Sequence, residues 1–133
     1  MSDVPVIDHH MAINALREVV VGKEDYVYER PEITLSDGNT YKHCVYVDPE
    51  TDEPSCIIGW AIRQLVPSVK FPRNDVWIMG ATKPIPLDGA ELTERAGYVF
   101  FAAQMLQDDL THTWGQALKA AEKEYTECCE EVA

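Results

Sequence analysis

One cysteine lies where thiol chemistry could arise. Cys56 follows Ser55 at the start of the apolar run 55–66. If Ser55 caps a helix there, Cys56 lies in the first turn, where the positive end of the helix dipole favours the reactive thiolate. A thiolate nucleophile also needs a base, which His43 or His112 would have to supply. We favour an inert core cysteine, because cysteine in an apolar run is usually buried; no catalytic residue is assigned, and Cys56 and His43 remain the alternatives.

The other cysteines and histidines do not follow a metal-binding pattern. Zinc-binding cysteines are usually separated by about two to four residues, whereas Cys44 and Cys56 are much farther apart. Cys128 and Cys129 are adjacent. A site built from His43, Cys44 and Cys56 is the disfavoured alternative. The seven glycines form no phosphate-binding loop, so we expect neither a metal nor another cofactor.

The aromatic side chains could line a pocket that stacks a small planar ligand. They are Tyr26, Tyr28, Tyr41, Tyr46, Trp60 and Trp77. Arg63 or Arg73 would then bind an anionic group of that ligand. The same aromatics can instead build the core between strands and a central helix, which is the interpretation that we favour. If a ligand site exists, we expect it in the middle of the chain, at Tyr46, Trp60, Arg63, Arg73 and Trp77.

The sequence is strongly acidic, with 23 acidic and 11 basic side chains and a net charge of −12. The net charge is −8 over residues 1–55, +2 over 56–90 and −6 over 91–133. A surface of this sign repels the phosphates of DNA, RNA and anionic lipid, which disfavours direct nucleic-acid or membrane binding. The acidic flanks suit a protein that meets a basic surface, although the charge can also serve solubility alone.

Two predicted helices flank the region that is rich in aromatic residues. Apolar residues recur at helical spacing over 9–21, where Asp8 would cap the N-terminus and Gly22 would end the helix. The apolar run that begins at Ser55 predicts a second, central helix with Ser55 as its N-cap. Gly59 inside this run predicts that another backbone passes close by, since glycine otherwise costs helix stability.

The region between these helices carries the pattern of short strands. Aromatic and β-branched residues at 26–28, 33–35 and 41–47 are separated by turn-forming residues. Asp37–Gly38 is the expected hairpin turn. Together these runs predict a small antiparallel sheet around residues 26–47.

The last third of the chain predicts two antiparallel helices. Asp88 with Glu91 resembles a capping box that opens the first of them. Thr113 with Gln116 repeats this arrangement for the second. The fold class that we expect is therefore α+β, with four main helices packed against the small antiparallel sheet.

The chain of 133 residues has the length of one domain. We expect residues 1–133 to form that domain, with a short mobile N-terminus at 1–6 and a frayed C-terminus at 129–133. Met1–Pro5 has neither the basic patch nor the apolar core of an export signal. No apolar stretch approaches the length of a membrane span. We therefore expect the protein in the cytoplasm.

Several short motifs together carry a family resemblance. They are Asp25-Tyr26-Val27-Tyr28 followed by Pro31, Cys44-Val45-Tyr46-Val47, Pro54-Ser55-Cys56-Ile57-Ile58-Gly59, Ala103-Gln104 with Gln107-Asp108, and Thr113-Trp114-Gly115-Gln116-Ala117. As a set, these motifs resemble a group of small uncharacterised proteins encoded by phages of actinobacteria and by their hosts. The resemblance implies a shared origin and a recurring fold. That group usually has a histidine directly after the Cys-hydrophobic-hydrophobic-Gly segment, where this chain has Trp60, which further disfavours a Cys–His pair.

The negative charge and the lack of a reactive constellation favour a protein that works by binding. The first hypothesis is a phage-encoded protein that engages a host protein or masks a basic surface, in host take-over or counter-defence. The second is a protein that binds or sequesters a small molecule such as a nucleotide-like signal. The third is a thiol-dependent enzyme that uses Cys56. The partner that the charge predicts is a host protein with a basic surface.

Overall fold

The computed structural model describes residues 4–29, 32–34, 38, 40–42, 46–47, 51–71, 87–108 and 111–129. Within these residues the chain forms four helices and two short strand pairs. In chain order the elements are β1 (Val6–Ile7), α1 (His9–Val20), β2 (Glu32–Thr34), β3 (Thr40–Lys42), α2 (Ile57–Leu65), β4 (Glu91–Leu92), α3 (Glu94–Asp108) and α4 (Trp114–Cys129). Helix α1 packs against the three other helices, so the core forms around it.

The strands form two separate pairs, only one of which was predicted. β2 and β3 pair antiparallel, with Ile33 opposite Tyr41, as expected for this part of the chain. β1 and β4 pair parallel, with Ile7 opposite Leu92. The prediction of one small antiparallel sheet is therefore corrected to an antiparallel pair and a parallel pair. The parallel pair arises because Ile7 is completely buried and its carbonyl accepts the Thr93 backbone N–H at 3.0 Å, next to the start of α3.

The strand expected at residues 26–28 is absent, and this segment has an irregular conformation. Its backbone is engaged elsewhere, because the Tyr26 N–H donates to the Lys23 carbonyl at 3.0 Å and the Tyr26 carbonyl accepts the Trp114 N–H at 2.8 Å. The segment thus follows the end of α1 and lies against the start of α4.

Helix α1 has the predicted start and cap, and it ends at Val20, one residue earlier than expected. The Asp8 carboxylate accepts the Met11 backbone N–H at 2.8 Å, which satisfies one of the free donors of the first turn. Gly22 adopts the left-handed conformation with φ of 79° just after the helix ends. At the surface, Arg17 of α1 pairs with Glu122 of α4 at 2.9 Å.

Helix α2 begins one residue later than expected, and its N-cap is Cys56. The Ser55 hydroxyl is hydrogen-bonded to the Tyr28 hydroxyl at 2.8 Å, and the Ser55 N–H donates to the Tyr46 carbonyl at 2.9 Å. Ser55 is therefore committed to neighbouring segments, and the Cys56 sulfur accepts the Gly59 N–H at 3.4 Å in its place.

Gly59 confirms the predicted close approach of a second backbone. A Cβ atom at this position would lie 1.8 Å from the Tyr46 carbonyl oxygen. The segment at Tyr46 and Val47 therefore crosses α2 so tightly that only glycine fits beneath it. Val47 also forms an isolated antiparallel bridge with Pro54. The crossing segment is thus bound to the residues that directly precede α2.

The cap predicted at the start of α3 is wrong, whereas the cap of α4 is confirmed. Thr93 caps α3, because its hydroxyl accepts the Ala96 N–H at 3.1 Å. Asp88 instead forms an antiparallel bridge with Lys70. In α4, Thr113 and Gln116 form the reciprocal capping box, with hydrogen bonds of 2.8 and 3.1 Å.

The ends of the chain and its middle connector are described in part. Pro5 and Val6, assigned by the sequence to a mobile segment, take part in the β1–β4 pairing. Residues 1–3, 72–86 and 130–133 lie outside the described residues. Among the described helices, none is both long enough and apolar enough to cross a membrane.

Candidate functional site

A cleft of about 600 Å³ opens between the end of α1, the start of α2 and the start of α4. We call it the aromatic cleft. Its walls are the turn 22–25, Tyr26, Tyr28, Glu29, Pro54, Ser55, Trp60 and Trp114. Four aromatic side chains and three carboxylates thus border one space.

The turn that forms one wall is fixed onto α4. The Gly115 N–H donates to the Glu24 carbonyl at 3.0 Å, beside the bond between Trp114 and Tyr26. These bonds use donors of the first turn of α4, which have no partner inside the helix. A Cβ on Gly115 would lie 2.8 Å from the Glu24 carbonyl oxygen, so the approach of the turn depends on glycine.

The opposite wall is carried by α2 and the loop before it. Trp60 lies in the first turn of α2 and leaves 39% of its surface exposed. The hydrogen bond between Ser55 and Tyr28 connects this wall to the segment that follows the turn. The cleft is therefore framed by two helix N-termini, each joined to the 22–29 segment by hydrogen bonds.

A lysine lies between the two indoles of the cleft. The Lys23 ammonium is 4.5 Å from the centroid of the Trp60 ring and 5.6 Å from that of Trp114. Tyr26 packs edge-on against Trp114 with centroids 4.8 Å apart. Aromatic faces attract cations through their negative quadrupole, so this arrangement already holds a positive charge against an aromatic wall.

Trp114 is the most deeply buried side chain of this wall. It is only 1% exposed, and its Nε1–H has no acceptor within the described residues. A buried N–H without a partner is costly. Because this N–H is closed to solvent, Trp114 contributes packing to the cleft wall and not an accessible donor.

The rim of the cleft is acidic. Glu24, Asp25 and Glu29 line it and are exposed, and Lys23 is its one basic side chain among the described residues. A Glu24 carboxylate oxygen accepts the Gly22 N–H at 3.2 Å. Asp25 and Glu29 form no ion pair with any residue in the described part of the chain. The cleft has more negative than positive charge, and its chemistry suits a cation.

Of the expected ligand residues that the structure describes, Trp60 alone lines this cleft. Tyr46 is buried and stacks on Phe71 with ring centroids 5.1 Å apart, and its hydroxyl donates to Gln104 at 3.4 Å. This places Tyr46 in the core, as favoured for the aromatic set, whereas Tyr26 and Trp60 of the same set are partly exposed and line the cleft.

Arg63 is held by the protein itself. Its guanidinium donates to the Val69 carbonyl at 2.9 Å, the Asp52 carbonyl at 2.8 Å and the Asp52 carboxylate at 3.1 Å. Lys70 approaches the other carboxylate oxygen at 3.5 Å. The hydrogen bond from Arg63 holds the pKa of Asp52 below its usual value. We call these three side chains the Asp52 cluster; the guanidinium of Arg63 is hydrogen-bonded within it and faces a carboxylate of this chain instead of an external anion.

Cys56 lies inside the core with 2% of its surface exposed. Besides the Cys56 sulfur, the start of α2 is capped by Gln107, whose side-chain oxygen accepts the Ile57 N–H at 2.7 Å. Gln107 is completely buried. These contacts give Cys56 a structural role at the helix start.

The remaining predicted residues fall elsewhere. His43, Cys44, Arg73 and Trp77 lie outside the described residues. Among the residues that are described, no group of three or more histidine, cysteine or acidic side chains could hold a metal ion.

Sequence reasoning missed most of this cleft. Tyr26 and Tyr28 belonged to the aromatic set, but neither Trp114 nor the acidic residues of the cleft were assigned to a site. The available signal was the run from Glu24 to Glu29, in which acids surround two tyrosines. Its meaning depends on the contact with α4, which no local pattern predicts. No protein-family model, curated protein or solved structure matches this chain.

Proposed function

We propose that this chain is a phage-encoded binding protein that engages a basic surface of a host protein in the bacterial cytoplasm, in host take-over or counter-defence. The observation that carries the proposal is the aromatic cleft, whose three carboxylates exceed its one lysine. The net charge of −12 adds a long-range attraction for basic partners. The resemblance to proteins of actinobacterial phages supports the proposed origin.

Charge and cleft contribute to different steps of binding. The acidic surface accelerates the encounter with a basic partner, and this contribution weakens as salt screens the charges. Contacts with the aromatic walls determine how long the complex lasts, because short-range packing mainly sets the dissociation rate. The proposed complex should therefore be salt-sensitive in its association and sensitive to Trp60 in its dissociation.

The alternatives receive less support from the same geometry. A nucleotide-like ligand would bring phosphates to a rim formed by Glu24, Asp25 and Glu29, which would repel them. Arg63, the expected anion binder, already donates its hydrogen bonds within the Asp52 cluster. A thiol enzyme needs an accessible sulfur, whereas Cys56 is 2% exposed.

Affinity capture from an actinobacterial lysate tests the proposal. The wild type should retain a basic protein, identified by mass spectrometry, at low salt and release it at high salt. The double variant Asp25→Asn/Glu29→Gln should retain less of it. The variant Glu91→Gln/Glu124→Gln, which loses the same charge away from the cleft, should behave like the wild type. The proposal fails if no basic protein is retained, or if both double variants lose it equally.

A further inference from the structure

We propose that the aromatic cleft receives an arginine side chain from a basic segment of the partner, and that its guanidinium replaces the Lys23 ammonium over the Trp60 ring. This inference rests on the proposed function and specifies the chemical group that the cleft recognises. It combines the resident lysine, the aromatic walls and the carboxylates that have no ion-pair partner in the described part of the chain, all of which border the same space.

The position of Lys23 marks where the cleft stabilises positive charge. Its ammonium lies 4.5 Å from the Trp60 centroid and 5.6 Å from the Trp114 centroid, and Lys23 is exposed to solvent. An exposed lysine gains little from such a contact and its flexible side chain leaves readily. Lys23 is therefore an internal competitor that an incoming cation displaces.

The carboxylates select for a cation that has several donors. Asp25 and Glu29 line the cleft without an ion-pair partner in the described part of the chain. A guanidinium is planar, so it stacks on an indole face and still directs paired N–H donors at a carboxylate. An ammonium is compact and strongly hydrated. A partner lysine would only exchange one ammonium for another, whereas an arginine adds stacking and paired hydrogen bonds.

Two short peptides test the inference with the purified full chain. They have identical Gly/Ser-rich sequences except that one has arginine wherever the other has lysine. Titration at low ionic strength should show that the arginine peptide binds about tenfold more tightly. Trp60→Ala should weaken the arginine peptide about tenfold and the lysine peptide less, with unchanged circular dichroism as the check on folding.

Lys23→Ala gives a result that misfolding cannot mimic. Removal of the internal competitor should tighten binding of the arginine peptide about threefold or more. Lys119→Ala removes the same charge from the exposed surface of α4 and should change binding by much less. Equal effects of the two lysine variants, or equal affinity for the two peptides, would overturn the arginine site.

The outcomes separate this inference from the proposed function. If a basic host protein is captured but both peptides bind Trp60→Ala as tightly as the wild type, the partner binds elsewhere. Only the arginine site is then wrong. If no basic protein is captured while the arginine peptide binds at the cleft, the cleft chemistry stands and the proposed host partner is wrong. Preferred binding of a nucleotide over both peptides would contradict both.

Discussion

Two charged regions border helix α2, and they differ in whether their charged side chains have partners within the protein. In the Asp52 cluster, Arg63 donates to two carbonyls and a carboxylate, and Lys70 approaches the remaining carboxylate oxygen. In the aromatic cleft, Lys23 rests on the Trp60 ring while nearby carboxylates have no ion-pair partner among the described residues. In the first region the guanidinium already has its acceptors without a ligand. The second has charge and aromatic surface still available, so residue type alone does not identify a binding site.

Helix α2 carries residues of both regions and is crossed by the Tyr46 backbone at Gly59, so a substitution at Gly59 should have the largest effect on stability. Gly59→Ala places a Cβ 1.8 Å from the Tyr46 carbonyl oxygen, which forces backbone to move. We expect a loss of about 3 kcal/mol or more in the free energy of unfolding, measured with urea. Gly115→Ala meets the Glu24 carbonyl at 2.8 Å and should cost less. A loss below about 1 kcal/mol for Gly59→Ala would show that the crossing is looser than described.

Removal of Arg63 tests whether the Asp52 cluster is structural. Its side chain is 13% exposed, and Arg63→Ala leaves the Val69 carbonyl and the Asp52 carboxylate without this donor. We expect a loss of about 2–3 kcal/mol in unfolding free energy. Arg95→Ala, an exposed arginine of α3, removes the same charge and should change stability by about 0.5 kcal/mol or less. Equal losses would assign the effect to net charge.

The pH dependence of stability should report the same cluster with a smaller effect. Because Arg63 lowers the pKa of Asp52 in the folded protein, the ionised carboxylate stabilises the fold above its unfolded pKa, and this contribution disappears as the pH falls through the lower folded pKa. Asp52→Asn keeps a side chain that tolerates the positive φ of 60° at this position. The stability difference between wild type and variant should shrink as the pH is lowered into the acid range. A difference that stays constant with pH would contradict the prediction.

Lys23→Ala should have the smallest effect on stability. It removes an exposed cation–π contact, which is worth about 1 kcal/mol or less. Trp60→Ala removes the same contact together with the buried part of an indole that is 39% exposed, so it should cost more. Thermal or urea unfolding should therefore leave Lys23→Ala close to the wild type, although we expect the two variants to change peptide binding in opposite directions. A large loss of stability in Lys23→Ala would place the cleft with the Asp52 cluster as a structural region.

The features that could be predicted from the sequence are those that depend on neighbouring residues. The Asp8 cap of α1 and the box formed by Thr113 and Gln116 were predicted correctly, since a cap needs only residues a few positions apart. The close approach at Gly59 was also predicted, because glycine in an apolar helix indicates a steric requirement.

The features that were missed depend on partners distant in sequence. Ser55 has the side chain of an N-cap, but Tyr28 engages its hydroxyl. Gln107 is polar, yet it is buried because it caps α2 from a neighbouring helix. The cleft follows the same rule, since Trp114 meets the 22–29 segment only after α1 and α4 have packed together.

The parallel pairing of β1 with β4 also bears on how this chain folds. It joins Ile7 to Leu92, so most of the chain must become compact before the two residues of β1 can pair with the two residues of β4. Closing so long a loop costs conformational entropy, which the few hydrogen bonds of such a short ladder offset only in part. Contacts between residues so distant in sequence also slow folding. We expect the helices to assemble first and the ladder to close last, so substitutions in β1 should accelerate unfolding while leaving the folding rate nearly unchanged.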